Sequence, residues 1–154
     1  MRTSFVQFLI ERLAISLPKK NLGIPRRKMP QIQSDHIQDF LNFMQSEGVT
    51  VRKIMIPVQK IKATQKEIDR GKIVNLMNGA LESSLNKPVI ISKDNYLLDG
   101  HHRWLALWNK FEKYDLVAHQ ANVNIKDLLE IAGRFSKVSF KKLGEDMETV
   151  GANI

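Results

Sequence analysis

Residues 96–107 read YLLDGHHRWLAL, and the character of the chain changes halfway through them. Tyr96, Leu97 and Leu98 are apolar and suit a buried strand. From Trp104 onward, Trp104, Leu107, Trp108 and Phe111 recur at i, i+3, i+4 and i+7, the spacing of one helix face. Asp99-Gly100 between the two patterns is a turn pair, and glycine there permits positive φ and a close backbone approach. The stretch therefore predicts a strand ending near Asp99, a tight turn, and a helix opening at His102. A strand running into a helix is the building unit of α/β and α+β domains.

The same reading extends in both directions. KPVIIS and NYLLD, separated by Lys93-Asp94, predict a hairpin. VTVRKIMIPV (49–58) predicts a strand ended by Pro57, and YDLVAHQANV another strand. Ile73, Leu76, Met77, Ala80 and Leu81 form a helical stripe with Asp69 as its N-cap. NIKDLLEIAGRF predicts a helix capped by Asn124, with Ile125, Leu128 and Leu129 inward. Ile37, Phe40, Leu41 and Met44 mark an earlier helix, capped by Ser34 or Asp35 and closed by Gly48. Residues 3–17 place Phe5, Phe8, Leu9 and Leu13 on one face of a first helix, which Pro18 ends. Residues 18–32 read as a basic connection punctuated by Pro and Gly, and the chain from Lys141 as a loose polar tail. The expected order is ααβαββαβα, a mixed sheet with packed helices. It divides into a basic helical extension (1–48), a core domain (49–140) and a tail (141–154).

Composition narrows the chemistry. A chain of 154 residues with 43% hydrophobic content can bury one core without staples. The absence of cysteine excludes disulfides, thiolate metal sites and a cysteine nucleophile. The opening MRTSFVQFLIERLAISL is interrupted by Glu11 and Arg12 and shows no small-residue cleavage site, so it reads as an amphipathic helix rather than a leader. No apolar run is long enough to cross a bilayer, and a cytoplasmic protein with no membrane partner is expected. The formal charge is +8. Much of the excess lies early, in Arg2, Arg12, Lys19, Lys20, Arg26, Arg27 and Lys28 against Glu11. Such a patch attracts phosphates, and Lys19, Lys20, Arg26, Arg27 and Lys28 are the candidate contacts to DNA. Arg26, Arg27 and Lys28, between two prolines, are also placed to clamp a phosphate or to serve as a plain linker.

The turn itself carries the densest chemistry. Helix N-terminal N–H groups have no internal partner and sit at the positive end of the helix dipole, an anion site in outline. Arg103 adds a planar fork suited to phosphate oxygens, and a histidine can donate to phosphate or move a proton near neutral pH. Asp99 can hold Mg²⁺, orient a histidine or act as a general base. Adjacent His101 and His102 point about 100° apart on a helix and cannot both face one ion, so Mg²⁺ arriving with a nucleotide is favoured over a His-based zinc site. Trp104 and Trp108, at helical spacing, read as core.

YLLDGHHRWLAL resembles the ParB/sulfiredoxin superfamily, and in particular the small ParB-like proteins of bacteriophages. IPVQKIKATQKEIDRGKIVNLMNGA (56–80) resembles the superfamily's strand, loop and Asp-x-x-Lys-[Val/Ile] helix start, so the likeness spans roughly residues 51–132. It implies a ParB/sulfiredoxin-like fold with a nucleoside triphosphate, ATP or CTP, and Mg²⁺ as cofactors. Lys72 matches the sulfiredoxin lysine that meets nucleotide phosphates, and Asn75, Asn78 and Gly79 fall where that family touches the nucleotide. Gly100, His102 and Arg103 match the Gly, His and Arg of the Gly-Gly-Cys-His-Arg signature, whereas Asp99 and His101 replace its first Gly and its Cys. Without the thiol, sulfiredoxin's repair chemistry is excluded. The Asp-Gly-His-His-Arg form is similar to the free serine kinases of this fold, whose Asp and His residues serve phosphoryl transfer. Their catalytic glutamate aligns with Gln65, which cannot take a proton, so Glu67 or Asp99 would replace it. The Gly-Glu-Arg-Arg box and helix-turn-helix reader of true ParB proteins are absent.

The expected function is Mg²⁺-dependent hydrolysis or transfer of a nucleotide phosphate. Asp99, His101, His102, Glu67 and Gln65 are the candidate catalytic residues. Lys72, Asn75, Asn78, Gly79, Gly100, His102 and Arg103 are the candidate nucleotide contacts, and Asp99 the metal ligand. The alternatives are a phage DNA-binding or virion-associated module without catalysis, and a ParB-like nuclease with Asp99 and a histidine at a metal.

Overall fold

The computed structural model describes residues 15–80, 87–111, 113–140, 147–149 and 152–153. Its centre is a mixed four-stranded sheet built from β2 (Val51–Pro57), β5 (Val89–Ile91), β6 (Leu97–Asp99) and β7 (Asp115–Ala121), in the order β2-β7-β5-β6. β2 and β7 pair antiparallel over their whole length, from Val51↔Ala121 to Pro57↔Asp115. β5 runs parallel to β7 and antiparallel to β6, so the expected hairpin forms, its turn carrying Asn95 at φ 69.

Two apolar clusters cover the two faces of this sheet. Val89 and Ile91 point into one and Ile90 into the other; Leu97 and Leu98 divide in the same way. That alternation is the period-2 geometry of a strand buried on both sides. α1 (Ile37–Ser46) and α4 (Ile125–Arg134) pack on the face of Ile90, through Phe40, Met44, Leu128 and Ala132. α2 (Arg70–Asn75) and α3 (His101–Lys110) pack on the other, through Ile73, Trp104, Leu105 and Leu107. Fully buried Ile and Leu side chains contribute about 1.5–3 kcal/mol each, so both helical layers are held mainly by burial. Trp104 also donates from Nε1 to the Val58 carbonyl at 2.8 Å, which fixes its ring in the core.

The local signals act as expected at several ends. Asn124 Oδ1 accepts from Asp127 N at 2.9 Å and Asp69 Oδ1 from Lys72 N at 3.2 Å, capping α4 and α2. Gly48 closes the end of α1 at φ 83. A 3-10 turn over Ser34–His36 precedes α1, so neither Ser34 nor Asp35 caps it; His36 occupies that position. α2 widens into a π-turn at Leu76–Ala80, where Asn78 and Gly79 are weak helix formers.

Two segments differ from the sequence reading. Within the expected connection, Lys20–Ile24 forms β1, parallel to β3 (Ala63–Gln65). Ile32, Phe40 and Met44 join one core cluster with Ile90, Leu98 and Leu128, so residues 20–48 pack into the same body as the strands that follow. The expected loose tail contributes β8 (Met147–Thr149), antiparallel to β4 (Glu67–Asp69), and β9 (Ala152–Asn153), parallel to β1. Both pairings are made by backbone groups at sheet edges, which side-chain composition does not report. The first expected helix (3–17) and Leu81 lie largely or wholly outside the described residues. Among the described residues no helix is long and apolar enough to cross a membrane.

Candidate functional site

β6 ends at Asp99 and α3 begins at His101, with Gly100 between them at φ 107. Glycine is required there twice over. The positive φ is strained for any L side chain, and a Cβ would lie 2.6 Å from Val89 Cγ1 and 3.1 Å from Arg103 Nη2. The turn thus brings the start of α3 against β5 and beside the segment 64–72.

The two histidines tie that segment down. His101 is buried, and its Nε2 accepts from the backbone N–H of Thr64 at 3.1 Å and of Gln65 at 3.2 Å. His102 Nε2 accepts from Asp69 N at 2.9 Å. Both rings must be neutral at Nε2 to accept, which assigns the proton to Nδ1. Burial holds His101 in that form, with the neighbouring His102 adding to the effect, and its pKa falls to about 3. His101 Nε2 therefore has no lone pair to offer a substrate. Both side chains act by fixing β3 and the cap of α2 against α3.

Arg103 extends from the first turn of α3 and donates from Nη2 to the Pro88 carbonyl at 3.1 Å. Its Nε is buried without an acceptor among the described residues. Burial lowers the guanidinium's pKa, and Asp99 opposes that effect by favouring the charged form.

Arg103 lines a cleft of about 190 Å³ together with Arg26, Lys72, Gln65, Asp99 and the His101–His102 turn. Arg26 arrives on a 3-10 turn (Arg26–Lys28). Its N–H donates to Glu67 Oε2 at 3.1 Å, and Met29 just after it is fully buried. Gln65 donates from Nε2 to the Glu67 carbonyl.

Of the residues expected at the site, Gln65, Lys72, Asp99, Gly100, His101, His102 and Arg103 line this one cleft. Glu67 does not; its carboxylate holds the Arg26 turn. Asn75, Asn78 and Gly79 are exposed and lie away from it. Among the described early basic residues, Arg26 alone lines the cleft, while Arg27 and Lys28 are exposed and Lys19 and Lys20 line a different one; Arg2 and Arg12 lie outside the described residues. Gln31 and Leu98 also line the cleft and were not expected there: nothing local marks a lone Gln between Pro30 and Ile32, and Leu98 reads as strand core. Among the described residues no group of three His, Cys, Asp or Glu side chains is placed to hold a metal unaided. Mg²⁺ in this cleft would need oxygens from a ligand beside Asp99, the arrangement common for phosphate-bound magnesium. Comparison of the chain with protein-family models, with curated proteins and with solved structures finds no match.

Proposed function

We propose that this chain is a ParB/sulfiredoxin-like protein that binds the phosphates of a nucleoside triphosphate, ATP or CTP, at the Asp99–Arg103 turn. We further propose that the terminal phosphate is hydrolysed or transferred there. One observation carries the reading: Arg26, Lys72 and Arg103, from three separate stretches of chain, line one small cleft whose described carboxylate is Asp99. Three cations less one carboxylate leave about +2 before the α3 N-terminus is counted. The Arg103 Nε–H, buried without an acceptor among the described residues, is a donor that an anion would satisfy.

Size points the same way. About 190 Å³ falls below the roughly 300–1,000 Å³ of a site that encloses a whole small molecule. It suits a phosphate tail, with the nucleoside lying at the mouth. Asp99 would hold Mg²⁺ together with phosphate oxygens, and the ion would supply neutralisation of phosphate charge. Arg26, Lys72 and Arg103 stabilise the charge that develops as the phosphoryl group moves, the main service such catalysis requires. His101 and His102 are positioning residues in this scheme, keeping Gln65 and Lys72 opposite the turn.

The test combines thermal unfolding with ATP, CTP or GTP and phosphate release from each, all with Mg²⁺. At about a hundred times Kd a bound nucleotide adds about 2.7 kcal/mol of stability, a readily measured shift. Lys72→Ala is expected to lose most of that shift, and Asp99→Asn to lose phosphate release. A shift without release would leave a binding module. No shift with any nucleotide would overturn the reading.

A further inference from the structure

Both tryptophans of the chain, Trp104 and Trp108, line a second cleft of about 470 Å³ on the flank of α3. Lys19, Lys20, Lys62 and Tyr96 line it too, and its lining includes no carboxylate among the described residues. The aromatic part is preassembled. Trp104, almost fully buried and held by the Val58 carbonyl, backs Trp108 in a stacked pair with centroids 5.7 Å apart and planes at 23°. Lys62 Nζ sits 5.1 Å from the centre of the Tyr96 ring, at the point where Lys62 and Tyr96 bridge two segments of backbone.

The sequence alone assigned the tryptophans to the core and offered Lys19 and Lys20, in a basic connection, as contacts to DNA. The fold brings the two sets together. Lys19 and Lys20 are carried in at the start of β1, and β1 is seated beside β3, which follows Lys62 directly. Three lysines lining one cleft with a stacked tryptophan pair suit a ligand that alternates phosphates with planar rings.

We propose that this cleft binds single-stranded nucleic acid, with the lysines on its phosphates and a base against Trp108. The volume accommodates a nucleotide-sized unit. Aromatic stacking and a basic rim are the two elements of sequence-tolerant single-strand recognition, because every base offers a π-face. An acidic peptide would satisfy the lysines but leave the aromatic floor without a planar partner. The inference does not depend on the phosphate cleft at the Asp99–Arg103 turn.

Because the chain has two tryptophans and both line the cleft, intrinsic fluorescence of the full-length protein reads occupancy directly. The titrant is an oligothymidylate of about twelve nucleotides, within the span of single-strand sites. Saturable quenching is expected. Three phosphate contacts give a salt slope of about −2, which Lys19→Gln, Lys20→Gln and Lys62→Gln together should abolish. The nucleotide-induced thermal shift of the triple variant should stay at the wild-type value, since none of the three lines the other cleft. Inorganic polyphosphate should compete for the lysines without quenching. Absence of quenching, equal quenching by polyphosphate, or quenching undiminished in the triple variant would each overturn the proposal.

Discussion

Lowering the pH tests the histidine clamp most directly. In the unfolded chain His101 takes up a proton at about pH 6.5, whereas in the fold it stays neutral to about pH 3. Between those values the unfolded state binds a proton that the native state does not, so stability falls as pH falls. The slope is about 1.4 kcal/mol per unit, which makes the loss about 2 kcal/mol between about pH 6.5 and pH 5. Above about pH 6.5 the histidine makes no pH-dependent contribution. Urea unfolding midpoints measured across this range, in the wild type and in His101→Gln, isolate the effect. Glutamine can offer an oxygen near the position of Nε2 to the Thr64 and Gln65 N–H groups, and it does not titrate. The variant should therefore keep most of its stability at neutral pH and show a shallower acid slope. Contributions from groups that do not interact with His101, including His119, whose pKa is also lowered by burial and by Lys53, are common to both proteins and cancel. Parallel curves would refute the reasoning, because they would mean that His101 takes up its proton equally in the folded and unfolded chain.

Other consequences follow from particular contacts. Gly100→Ala combines a left-handed backbone penalty of about 1–2 kcal/mol with an overpacking cost of about 1–3 kcal/mol against Val89. In a double-mutant cycle measured by urea unfolding, Val89→Ala should recover the packing part alone. Asn124→Ala removes the Asp127 N acceptor at the start of α4 and should lower stability by about 1 kcal/mol, measured the same way. Ending the chain at Phe140 removes β8 and β9 and reopens the edges of β4 and β1. Sedimentation should then show more self-association than the full chain, and unchanged behaviour would mean that those edges are protected by something else.

The parts legible in the sequence were those set by short-range rules. Trp104, Leu107 and Trp108 marked α3 by period, and Asp69 and Asn124 marked helix starts by chemistry. Gly100 marked the turn because so few residues tolerate it. The fold brings Gln65, Lys72, Asp99 and Arg103 to one cleft, whereas what each side chain contacts there was less visible in the sequence. His101 looked like a proton carrier until its ring was seen to accept from two backbone N–H groups. Glu67 was read as a base, and the fold places Arg26 N on its carboxylate. In both residues the role depends on a partner more than thirty positions away, and no local pattern encodes that. β1 was hidden for a similar reason: it is short, broken by Gly23 at φ 75, and stabilised by strands far along the chain.

The position of β1 bears on how the chain is made. Its pairing with β3 is possible once Gln65 has been synthesised, but its pairing with β9 waits for Asn153, a further 88 positions on (153 − 65). At about 5–20 residues per second, that leaves roughly 4–18 s in which one side of the strand has no intramolecular partner. A pairing closed by the two most distant strands of the fold also ranks among its most non-local, the kind that forms late and slows folding. The nascent protein therefore carries a temporary sticky edge, in a segment that also supplies Lys20 to one cleft and leads directly to Arg26 at the other.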